Sequence, residues 1–121
     1  MSLNAAQLQQ FKIDGYLVLP AALSAQECSA LRCLTKQQLA ERVAPFELEA
    51  QVHYPGAPSS EDAAGGNTIR RLLMAYQRHK AFKDLAERPS ITRAITQILS
   101  CTQLSLNPNH HNCVMSKQPA Y

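Results

Sequence analysis

Apolar positions open the chain at helical spacing and within a few residues turn into an unbroken run. Leu8 and Phe11 stand three apart, a separation that sets two side chains on one face of a helix. Asn4-Ala5-Ala6-Gln7 ahead of them has the form of a capping box. In such a box the Asn side chain accepts from a backbone N–H that the first turn leaves unpaired, and the Gln side chain reaches back. The helix is expected to close at Gly15, since glycine takes a left-handed backbone cheaply. Tyr16-Leu17-Val18-Leu19 then runs apolar up to Pro20, and its brevity and the proline favour a buried strand over a helix. Ser24-Ala25-Gln26-Glu27 is a second capping box. Leu31 and Leu34 continue its apolar stripe into a helix predicted to reach about Val43, ahead of Pro45.

Periodicity then lapses. Residues 51–67, QVHYPGAPSSEDAAGGN, are dominated by Pro, Gly, Ser and Asp and read as a flexible loop of the kind that serves as a lid or binding loop. His53 and Tyr54 are its only members with chemistry to offer, and an ordinary loop role suits both. From Thr68 to Arg88 the positions Ile69, Leu72, Leu73, Tyr76, Phe82 and Leu85 predict a helix with a break near Arg78-His79. Ser90 to about Ser100 predicts another, with Ile91, Ile95 and Ile98 on one side. Beyond Gln103, Leu104 and Leu106 alternate and Asn107-Pro108-Asn109 makes a turn. His110 to Lys117 has strand alternation: His111, Cys113, Met115 and Lys117 face one way, and His110, Asn112, Val114 and Ser116 the other.

Composition narrows the classes of function. The 121 residues, 45% of them hydrophobic, fit one ordinary domain or part of a larger one. A net charge of +3 with both signs interspersed argues against a nucleic-acid partner, which calls for a clustered basic face. Arg70-Arg71 and Arg78-His79-Lys80 are the nearest approach to one and read as solvated helix faces. No apolar run has the length of a membrane span, and the first residues lack the charged-then-apolar pattern of a leader. Cytoplasmic residence without a membrane partner is therefore expected. Cys28, Cys33, Cys101 and Cys113 show no framework spacing, which suits free thiols.

Asp14-Gly15-Tyr16-Leu17-Val18-Leu19-Pro20, followed by Leu23-Ser24, Glu27-Cys28 and Leu31, resembles the opening of the phytanoyl-CoA dioxygenase family of iron(II)/2-oxoglutarate-dependent oxygenases. Lys117-Gln118-Pro119 resembles the Lys-x-Pro that closes an early strand in that family, so the resemblance runs from about Leu3 to Pro119. It implies an α+β chain: the helix-rich N-terminal part of a double-stranded β-helix (jelly-roll, cupin-like) oxygenase fold, incomplete here, with residues 1–121 forming part of a single dioxygenase domain. The implied reaction is hydroxylation of a small organic or acyl substrate. The complete family member uses Fe(II), held by a His-x-Asp and a distant His, together with 2-oxoglutarate.

No His-x-Asp or His-x-Glu occurs in this sequence, so no catalytic or metal residue is assigned. The chain alone is expected to be inactive and to hold neither cofactor tightly. By the resemblance, the co-substrate contacts are His111, Cys113 and Met115 on the strand before Lys-x-Pro, and Arg71 as a donor to an oxygen of the co-substrate, for which an exposed helix charge is the alternative reading. The family often carries Gln, Met or Asn on that strand, so His111 and Cys113 depart from its pattern.

Three other readings use the same residues. Cys101, His110, His111 and Cys113 are ligand types that suit tetrahedral zinc, although the spacing matches no finger and there is no Cys-x-x-Cys. Cys113 beside His111 suggests a nucleophile and base, without an identifiable orienting acid. The chain also reads as a non-catalytic helical module that binds a partner through its basic helix or its loop.

Overall fold

The computed structural model describes residues 2–105 and the backbone of residues 113–115. The chain is α+β. Its α-helices among these residues are α1 (Ala5–Asp14), α2 (Ala25–Ala40), α3 (Ala75–Arg78), α4 (Lys80–Ala86) and α5 (Pro89–Leu99). Strands β1 (Phe46–Leu48), β2 (Ile69–Leu73) and β3 (Cys113–Met115) form an antiparallel sheet in the order β1-β2-β3. A single 3-10 turn, Glu49–Gln51, follows β1.

Both capping boxes form as their sequences require. The Asn4 side chain accepts from the Gln7 N–H at 2.9 Å and Gln7 Oε1 accepts from the Asn4 N–H at 2.9 Å. Ser24 and Glu27 do the same at 3.1 and 2.8 Å. Gly15 ends α1 at φ 76°, its N–H donating to the Phe11 carbonyl, the left-handed geometry only glycine takes at little cost. Helix α2 stops at Ala40 rather than near Val43: Arg42 turns left-handed at φ 50° and the Val43 N–H donates back to Gln38 O.

The helix expected over Thr68–Arg88 is instead strand β2 followed by two short helices. The reason lies in a β-bulge. Phe46 pairs with Leu72 and Glu47 with Arg71, but Leu48 pairs with Ile69, so Arg70 is the extra residue on β2. The bulge brings Ile69 and Leu72, three apart, to the one side of the sheet that carries Phe46 and Leu48. A strand with one inserted residue thereby acquires helical spacing in its sequence. The anticipated break is real: His79 is extended at φ −158° and caps α4, its Nδ1 accepting from the Ala81 N–H at 3.1 Å.

Leu48, Ile69 and Leu72 form the core cluster, with Leu39 of α2 and Phe46 packed against it. Burying a side chain of this size contributes roughly 1.5–3 kcal/mol. An exposed ion pair contributes about 0–1 kcal/mol. The cluster, not the charges around it, therefore holds β1 and β2 under α2.

A second packing centre lies where α5 meets α1. Ala94 is buried, and so is Leu3, whose backbone N–H and C=O both bond the side-chain amide of Gln97, at 2.7 and 3.1 Å. The packed side of α5 includes Ile91, Ala94, Gln97 and Ile98, while Ile95, expected on that face, is 39% exposed.

Tyr16-Leu17-Val18-Leu19 does not form the buried strand its composition suggests. Tyr16 is 62% and Val18 69% exposed, and no strand among the described residues lies alongside to complete a ladder. Apolar composition favours a strand only where a neighbour supplies its hydrogen bonds. No helix among the described residues is long and apolar enough to cross a membrane.

Candidate functional site

Of the residues that the resemblance suggests for a co-substrate, Arg71, Cys113 and Met115 lie on the β2–β3 ladder. Arg71 stands opposite Met115, and Leu73 opposite Cys113, two positions further along the same antiparallel register. His111 lies outside the described residues, as do His110 and Lys117-Gln118-Pro119. Arg71 and Met115 are thus cross-strand partners although far apart in sequence.

Arg71 also has a partner on its other side. It pairs in register with Glu47 of β1, and its Nε donates to Glu47 Oε2 in a charge-assisted bond. The Glu47 carboxyl is held below the ordinary carboxylate range, first by that hydrogen bond and then by the charges of Arg71 and Arg70, against partial burial that pushes it up. Glu47 therefore stays anionic and fixes one edge of the guanidinium. An incoming carboxylate would meet Arg71 with Glu47 already in place. Sequence reasoning missed Glu47; the apolar–polar–apolar run Phe46-Glu47-Leu48 was the available signal.

Arg70, the bulge residue, serves the neighbouring loop. Its guanidinium lies 3.7 Å from Glu49 and 5.2 Å from the centre of the Tyr54 ring, while the Tyr54 hydroxyl donates to Glu49 at 2.7 Å. Charge, ring and phenol anchor the start of the segment between the 3-10 turn and β2. That segment is a succession of turns, closed by Ala57 N–H to Tyr54 O, Ala63 N–H to Ser60 O and Gly66 N–H to Ala63 O. Gly66 is required by space: a Cβ there would stand 1.9 Å from the Ser60 carbonyl oxygen. His53, singled out in the sequence, is exposed.

Arg78, read in the sequence as a solvated helix charge, is half-buried and structural. Its Nε donates to Leu73 O at 3.0 Å, Nη1 to Val43 O at 2.8 Å and to Gln38 Oε1 at 3.3 Å, and Nη2 to Pro45 O. All four acceptors are uncharged, and burial pushes its pKa down. Gln38 is the buried polar side chain of α2. The guanidinium fork thus ties the end of β2 to the end of α2 and the approach to β1, where the Pro45 carbonyl also accepts from the Leu73 N–H at 3.0 Å.

Among the described residues, concavities lie elsewhere. One, of about 340 Å³, runs between α2 and α4 over Leu31, Leu34 and Leu85, with Glu27 and Arg88 at its rim. Another, of about 210 Å³, sits among Leu3, Leu19, Pro20 and Ile91. Neither is lined by Arg71. The charged rim of the first is paired: Glu27 accepts from Arg88, which also donates to Ala22 O at 3.3 Å. That pairing, with the Ser24 bonds, lowers the Glu27 pKa from 4.5 to about 2.

Among the described residues no three His, Cys, Asp or Glu side chains gather as a metal site. The described residues therefore do not by themselves supply the three ligands of an iron centre. Of the zinc set, Cys101 is a free, half-buried thiol, and the side chains of His110, His111 and Cys113 lie outside the described residues. Cys28 and Cys33 are free and exposed on α2. No protein-family model, no curated protein and no solved structure matches this chain.

Proposed function

We propose that this chain forms part of an iron(II)/2-oxoglutarate-dependent dioxygenase similar to the phytanoyl-CoA dioxygenase family, contributing buttressing helices and one wall of the co-substrate pocket of a double-stranded β-helix. The observation that carries the reading is the β2–β3 register, in which Arg71 and Met115 are direct cross-strand partners and Cys113 lies two positions on. The resemblance selected these residues without reference to their pairing, and they share one ladder.

On this reading Arg71 donates to an oxygen of 2-oxoglutarate and Glu47 orients the guanidinium from the opposite side. Fe(II) and 2-oxoglutarate together would supply the oxidising chemistry in the complete protein. The substrate would be a small organic or acyl molecule, in a cytoplasmic setting. With no His-x-Asp or His-x-Glu in its sequence, the chain by itself is expected to release no succinate from 2-oxoglutarate.

The test titrates 2-oxoglutarate into the full chain and into Arg71→Ala. The full chain should bind it weakly but saturably, and Arg71→Ala should weaken that binding severalfold. No saturable binding by the unaltered chain, or undiminished binding in Arg71→Ala, would overturn the reading.

A second reading, a non-catalytic helical module, is favoured by one observation: Ile95 and Leu99 of α5 are 39% and 61% exposed, an apolar pair one turn apart. A saturable protein partner lost in Leu99→Ser, with no 2-oxo acid binding, would support that reading over the first.

A further inference from the structure

We draw no further inference here: the strongest candidate, the exposed apolar segment from Ile13 at the end of α1 through Tyr16 and Val18 to Leu19, carries nothing because nothing in the structure shows what covers it.

Discussion

At the residue scale, two positions carry consequences that a sequence scan passes over. Gly66 has the backbone of Ser60 and Glu61 where a side chain would begin. The obstacle is main chain, so no side chain can rotate away to relieve it. Gly66→Ala should destabilise the chain by about 1–3 kcal/mol, the usual cost of forcing an extra carbon into a packed site. A fall in the urea midpoint checks this, and an unchanged midpoint would show that the loop shifts freely.

Glu27 makes a second prediction, about pH. Its pKa is depressed from 4.5 to about 2, with the Arg88 hydrogen bond as the largest cause and the Ser24 bonds next. A depressed carboxyl contributes stability that is fully present above its unfolded value and is lost as pH falls through its folded value. The link between the starts of α2 and α5 should therefore hold down to about pH 4.5 and weaken progressively toward pH 2. Carboxyl-carbon NMR should place the Glu27 midpoint near 2, and Arg88→Gln should move it part of the way back up, since Ser24 still donates. A midpoint unmoved by Arg88→Gln would remove Arg88 as the leading cause.

At the scale of elements, the short sheet is held by burial from one side and by Arg78 at its end. Arg78 donates to carbonyls of Leu73, Val43 and Pro45, which come from the end of β2 and from the stretch between α2 and β1. Lysine carries a single nitrogen and cannot span them. Arg78→Lys should therefore cost about 1–3 kcal/mol although it keeps the charge, because the half-buried Val43 and Leu73 carbonyls lose a donor. Thermal unfolding of the two forms measures the difference, and equal melting temperatures would reduce Arg78 to a surface charge.

The elements also show what could and could not be read beforehand. Capping boxes were legible because their partners are three residues apart: Asn4–Gln7 and Ser24–Glu27 need nothing from the rest of the fold. Strand β2 was not legible. Its bulge at Arg70 spaces Ile69 and Leu72 as a helix would, and only the pairing with Leu48 and Phe46 distinguishes the two. Arg78 was hidden for the same reason, since its acceptors lie up to 40 residues away in sequence. The exposed Tyr16–Leu19 segment shows the converse: local composition favoured a strand, and no ladder partner stands beside it among the described residues.

At the scale of the whole molecule, the described residues form two modest packing centres, one under the sheet and one between α1 and α5. Between them the α2–α4 groove and the apolar Ile13–Leu19 segment remain open to solvent. On the proposed function, the chemistry lies in neither opening but on the β2–β3 ladder beside Glu47. The resemblance made that site legible only as a set of residue numbers; the register of β2 with β3 was needed to relate Arg71 to Met115.

The account is tested most directly by locating bound 2-oxoglutarate through backbone amide shifts of the isotopically labelled full chain. The account predicts saturable shifts centred on Ile69–Leu73 and Cys113–Met115, lost in Arg71→Ala. Shifts centred on the α2–α4 groove or on Ile13–Leu19, or none at any concentration, would contradict it.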